Sequence, residues 1–163
     1  MIDIIARLKL NLGKRNELGY YSQYHSQLVD DYVRGKKKDL GVKYKGLIPD
    51  VVIGRSIELL KEDKECLYLG TNKTTKLVIS NPHWDIYKVG RHFSIVIPFV
   101  TRNVRVPILA SNPFHESLLS DIVTSYCGDE LKGDLYIYPS GLNWKVSISI
   151  VNTYKELNQL VMI

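Results

Sequence analysis

The sequence predicts an α+β domain: a mostly antiparallel sheet, N-terminal helices, and one helix inserted between two β-hairpins. Three stretches predict it. Residues 92–111, HFSIVIPFVTRNVRVPILAS, form two runs rich in β-branched residues around a turn at Thr101-Arg102-Asn103. Near the end, Trp144, Val146, Ile148 and Ile150 alternate with Lys145, Ser147 and Ser149, the period of a strand with one buried face. Leu18, Tyr21, His25, Leu28 and Tyr32 recur at helical spacing and mark one face of a long helix.

Taken in order, residues 2–12 present Ile2, Ile5, Leu8 and Leu12 at helical spacing and are expected to form a short amphipathic helix. Gly13-Lys14-Arg15 breaks it. Asn16 then caps a second helix running to Arg34, with Gly35 as its left-handed stop. A basic loop follows, and Pro49-Asp50 suits the first turn of a helix reaching Lys61, while Val51-Val52-Ile53-Gly54 reads equally as a short strand before a shorter helix. Residues 66–69 and 76–79 read as two strands, and residues 81–85 (NPHWD) as a turn. Asn112-Pro113 starts the inserted helix, whose apolar face is Leu118, Leu119, Ile122, Val123 and Tyr126 and whose stop is Gly128. Residues 134–138 and 144–151 make the last hairpin about Pro139-Ser140-Gly141, with a short helix or tail from Tyr154. The whole of 1–163 is expected to be one domain: a helical, basic part over 1–61 and a β-rich core over 62–163, with its helix at 113–127.

Each strand of the 92–111 hairpin contains a proline. With Arg102 and Asn103 as a two-residue loop, Pro98 falls opposite Pro107 on a non-hydrogen-bonded pair. Both strands then lack a donor toward their outer neighbours, so the hairpin is expected to be a sheet edge or a projecting ribbon. Phe93, Ile95, Ile97 and Phe99 line one face of its first strand, while Ser94, Val96, Pro98 and Val100 leave the other only weakly polar.

With 45% hydrophobic and 24% charged residues the chain is neither disordered nor membrane-spanning. Its start lacks the layout of a secretory signal, and Cys66 and Cys127 lack metal-type spacing; both features suit a reducing, cytoplasm-like compartment. The net charge is +5. Residues 1–50 hold ten Lys/Arg against six Asp/Glu, and the excess is concentrated in Arg34, Lys36, Lys37, Lys38, Lys43 and Lys45. A run of this kind either meets phosphate or serves as a solvated loop.

No catalytic constellation emerges. His83, Asp85, His92 and His115 lie within one short span but lack zinc-site spacing. His92-Phe-Ser94 resembles half of the two-histidine phosphoesterase pattern, but its only companion, His115-Glu-Ser117, falls in a helix first turn. Asp121 with Glu130-Leu-Lys132 imitates a nuclease carboxylate set from a helix and a loop, where the carboxylates cannot converge on a metal. The expectation is therefore a non-enzymatic protein with no metal, no cofactor and no membrane partner.

Two functional readings follow. MIDIIARLKL, the apolar hairpin, NPFHESLLSDIVTSY and the closing GLNWKVSISIV follow an order that resembles the small tail-terminator and head–tail connector proteins of tailed phages. That resemblance covers roughly residues 92–151 and the first helix. It implies a ring or connector subunit in a virion, partnered by itself or by other protein subunits. Under it, Phe93, Ile95, Ile97, Pro98, Phe99, Val104, Val106 and Pro107 are the protein interface; a small regulatory inhibitor acting through protein contacts fits the same features. The alternative is a DNA- or RNA-binding protein. There Arg34, Lys36, Lys37, Lys38, Lys43 and Lys45 meet phosphates, Tyr32 and Tyr44 stack, and Arg102 and Arg105 on the hairpin add a second contact.

Overall fold

The computed structural model describes residues 2–69, 74–81, 83–124 and 132–150. The elements are β1 (Ile2–Leu8), α1 (Leu12–Val33), α2 (Leu40–Lys43), α3 (Asp50–Glu62), β2 (Leu77–Ile79), β3 (Asp85–Val89), β4 (His92–Pro98), β5 (Asn103–Ala110), α4 (Pro113–Thr124), β6 (Lys132–Ser140) and β7 (Asn143–Ile150). The seven strands form one antiparallel sheet in the order β2-β6-β7-β1-β5-β4-β3. The protein is thus α+β, with α4 inserted between the β4–β5 and β6–β7 hairpins. The expected stop at Gly128, the expected tail helix from Tyr154, and Cys127 lie outside the described residues.

The opening segment is a correction. Residues 2–8 are not a helix but the central strand, paired with β5 on one side and β7 on the other. The helical spacing of Ile2, Ile5 and Leu8 coexists with an alternation of Ile4, Ala6 and Leu8. A short apolar run satisfies both periods, and three isoleucines in four positions favour the pleated form. Ile4, Ala6 and Leu8 are buried, Asp3 and Arg7 exposed. The helix that the connector resemblance placed at the N-terminus is therefore a strand.

The proline hairpin is also rearranged. Pro98 lies opposite Asn103, and Pro107 opposite Ser94. Residues 99–102 make a longer loop, closed by the Phe99 N–H donating to the Arg102 carbonyl at 2.8 Å. That loop turns the Phe99 ring inward against Tyr21 of α1, with centroids 6.0 Å apart in an edge-on arrangement. The register differs from the expected one by an even number of residues, so every side chain keeps its expected face.

Nor is the hairpin an edge: β5 lies between β1 and β4, and β4 between β5 and β3. The prolines are accommodated by ending ladders. Pro107 accepts from the Lys9 N–H at 2.9 Å but has none to return, and the β1–β5 pairing stops one residue earlier, at Leu8 with Ile108. Pro98 lies past the last β3–β4 pair, Asp85 with Val96. Among the described residues the edges are β2, of three residues, and β3, of five, the latter hidden in the sequence behind the turn-forming residues 81–85.

α1 begins earlier than expected because Asn11, not Asn16, caps it, its side chain accepting from the Lys14 N–H at 2.9 Å. Gly35 ends it with φ +86°. Of the strands expected at 66–69 and 76–79, the first reduces to a single bridge between Tyr68 and Thr75, and the second is β2. His25, fully buried, ties α1 to its neighbours: Nδ1 lies 2.8 Å from Thr75 Oγ1 and Nε2 2.9 Å from Ser56 Oγ on α3. α4 begins where β5 departs, and the Ile5 N–H that β5 no longer reaches donates to His115 Nδ1 at 2.9 Å. Among the described residues no helix is long and apolar enough to cross a membrane.

Candidate nucleic-acid interface

The residues expected to meet a neighbouring subunit are mostly the protein's own core. Phe93, Ile95, Ile97, Pro98, Phe99, Val104 and Val106 are buried; only Pro107 is exposed. In β5 the alternation is complete: Val104, Val106 and Ile108 point inward, Asn103, Arg105, Pro107 and Leu109 outward. Covering that apolar face is the work of this chain, so seven of those eight side chains offer no surface to a partner.

The expected basic set is split by the fold. Arg34, Lys36, Lys37 and Lys38 are exposed around the C-terminal end of α1, while Lys45 is exposed next to Gly46, which lines a pocket with Glu17, Tyr20 and Tyr24. Lys43 is committed to Asp31, with Nζ 2.7 Å from Oδ2, and the Tyr44 hydroxyl donates to the same oxygen at 2.7 Å. These two bonds hold the Asp31 carboxyl below the usual carboxylate range. Tyr32 and Tyr44, expected as stacking groups, are buried at 6% and 1% exposure and present no ring face to a ligand. Lys37 instead sits over the Tyr32 ring, 4.6 Å from its centroid. Arg102 is elsewhere: its Nη2 lies 2.8 Å from Glu17 Oε1, in the first turns of α1. From Glu17 to Arg34 the helix rises by about 26 Å, so Arg102 and the segment 34–38 sit at opposite ends of α1.

Around Arg102 the fold builds a cluster that no single stretch reveals. β1 ends between β5 and β7, and α1 leaves it between the tips of the two hairpins. The Lys14 ammonium donates to the Arg105 carbonyl at 3.2 Å, and the Arg15 guanidinium to the Leu142 carbonyl at 2.9 Å. On the sheet face away from the core, Arg7 pairs across strands with Lys145 on one side and Leu109 on the other. Lys9 is exposed beside Pro107, and exposed Arg105 lies two residues further along β5, over the Tyr87 ring at 4.7 Å. Arg7, Lys9, Lys14, Arg15, Arg102, Arg105 and Lys145 thus converge on one end of the sheet from four separate stretches. Glu17 supplies a carboxylate that pairs with Arg102. Asp3, on the same face of β1, lies about 13 Å up the strand from Arg7.

Two features of this cluster cost stability. Arg7 and Lys145 are directly opposed like charges, which disfavours a strand pair by roughly 0.2–1 kcal/mol. The first turn of α1 holds Lys14 and Arg15 and no acidic residue, against the preference of the helix dipole. Cations gathered at such cost, at the positive end of a helix, produce a field suited to an anion. Pro107 and the half-exposed Leu109 add apolar surface between them. The odd positions of β1 and the residue just past it, Asp3-x-Ile5-x-Arg7-x-Lys9, carry a readable part of this signal once the segment is taken as a strand.

The histidine group does not gather. His83 and His92 are exposed, and His115 is engaged with β1. Among the described residues no three His, Cys, Asp or Glu side chains are placed to hold a metal ion. Cys66 is a free thiol whose pKa is pushed up by burial and by Asp63. Neither the protein-family models nor the curated proteins compared with this chain match it.

Proposed function

We propose that this protein binds nucleic acid through the cationic end of its sheet. The observation that carries this reading is the convergence of seven Lys and Arg residues from four stretches, with Arg7 and Lys145 held side by side on adjacent strands. Backbone phosphates are the ligand such an array suits, since a row of fixed cations releases the polymer's condensed counterions on binding. The segment at Arg34, Lys36, Lys37 and Lys38 lies at the far end of α1 and extends the track for a long polyanion. The reading as a connector subunit is the weaker one here, because the apolar hairpin face it relied on is filled by the chain's own helices.

Fluorescence anisotropy with labelled oligonucleotides across a salt series tests the proposal. Affinity should fall linearly on a log–log salt plot, with a slope of roughly −3 to −6 for four to seven phosphate contacts. Arg7→Ala with Lys145→Ala should weaken binding of every sequence and flatten that slope by about 2. Absence of binding at low salt, or equal retention on anionic lipid vesicles, would contradict it. Light scattering on the same sample reads self-association.

A further inference from the structure

On the side of α1 facing the β4–β5 loop, a pocket of about 200 Å³ is walled by Tyr20, Tyr21 and Tyr24, by Phe99 and Val100, and by Leu47. Resting on the nucleic-acid reading above, we infer that this pocket takes one unstacked base of a single-stranded nucleic acid.

Four observations converge on that occupant. The walls are aromatic and apolar, and every base has a face to stack on such rings. Tyr20 and Tyr24 lie one turn apart on the same helix, and Tyr20 is 65% exposed, which leaves its ring available at the mouth. Tyr21 is only 3% exposed, yet its hydroxyl is buried without a hydrogen-bond partner among the described residues. An orphaned polar group of this kind is costly, and the polar edge of a base is chemistry able to satisfy it.

The fourth is charge. Arg102 follows the wall residue Thr101, and its guanidinium lies 5.9 Å from the Phe99 ring centroid. Exposed Lys45 precedes the wall residue Gly46, and Lys14 stands one turn from Glu17 on the pocket side of α1. A base in the pocket therefore leaves its phosphates beside Lys14 and Lys45, with Arg102 paired to the wall residue Glu17 at 2.8 Å. An apolar peptide side chain would fill the walls but leave those cations unmatched. Duplex bases, paired and stacked, cannot enter.

The test compares a single-stranded oligonucleotide carrying 2-aminopurine with a duplex of equal length. The single strand should bind at least tenfold tighter, with 2-aminopurine fluorescence changing on binding. Tyr20→Ala should weaken single-strand binding between about five- and a hundredfold while leaving the salt slope unchanged, and Tyr20→Phe should restore it. Leu47→Ala, in the loop between α2 and α3, should lower single-strand affinity in the same direction, so the outcome does not depend on α1 alone. Equal affinity for duplex and single strand, with Tyr20→Ala and Leu47→Ala both neutral, would overturn the pocket assignment while leaving the cationic interface standing. Failure of both nucleic acids to bind would remove the interface and the pocket together.

Discussion

His25 shows how a single side chain can set the pH response of the whole fold. Its ring is fully buried between the hydroxyls of Thr75 and Ser56, and Thr75 is bonded in turn to Ser26 at 2.9 Å. Burial lowers the His25 pKa from its ordinary 6.5 to about 3. As pH falls through 6.5 the unfolded chain therefore takes up a proton that the folded chain refuses. The stability that neutral His25 provides is fully present above pH 6.5 and is lost progressively toward pH 3, by up to about 1.4 kcal/mol per pH unit. Urea unfolding between pH 7 and 5 should show this decline, and His25→Gln should flatten it; an unchanged slope would count against the assignment. His25→Ala, which removes the ring from between Ser56 and Thr75 and leaves Thr75 only its bond to Ser26, should cost about 3 kcal/mol at neutral pH. At Arg7 the sign reverses. Arg7→Ala removes one of two opposed like charges and should leave stability equal or raise it by up to about 1 kcal/mol, read from the urea midpoint at low salt.

At the scale of elements, the hairpin of β4 and β5 turns from a candidate docking ribbon into the middle of the sheet. Its strands, their facing and their prolines were legible, because alternation and β-branching are local properties. Its neighbours were not. Nothing in residues 92–111 states that β1 lies beside β5, and the sequence of β1 reads as helix because the apolar residues of so short a segment satisfy two periods at once. The loop length was hidden for a related reason: the inward turn of Phe99 is driven by Tyr21, distant in sequence. The distinction is measurable. Ile97→Ala, at a fully buried position, should destabilise the fold by about 2–5 kcal/mol in urea. Phe99→Asp should lose near-ultraviolet dichroism through unfolding rather than convert an oligomer into folded monomers. Folded monomers would restore the hairpin as an interface.

For the molecule as a whole, charge is a property of topology. Counted along the chain, the excess of cations falls in one loop, and Arg34, Lys36, Lys37 and Lys38 do remain exposed there. Placing β1 between β5 and β7, with α1 departing between two hairpin tips, gathers a second and denser group. Its members sit in stretches that look nearly neutral in sequence, since each carries only one or two of them. The α+β class was readable from three stretches; the cationic end was not, because it exists only once the strand order is known.

The comparison that bears most directly on this account sets two variants beside the parent in oligonucleotide binding across a salt series. One replaces Arg7, Lys9, Arg105 and Lys145 with alanine; the other replaces Lys36, Lys37 and Lys38. The sheet variant is predicted to lose most of the affinity and to flatten the log–log salt slope by about 3–4, the loop variant to lose markedly less. A sheet variant that is folded and binds as tightly as the parent, with the same slope, would contradict the central claim.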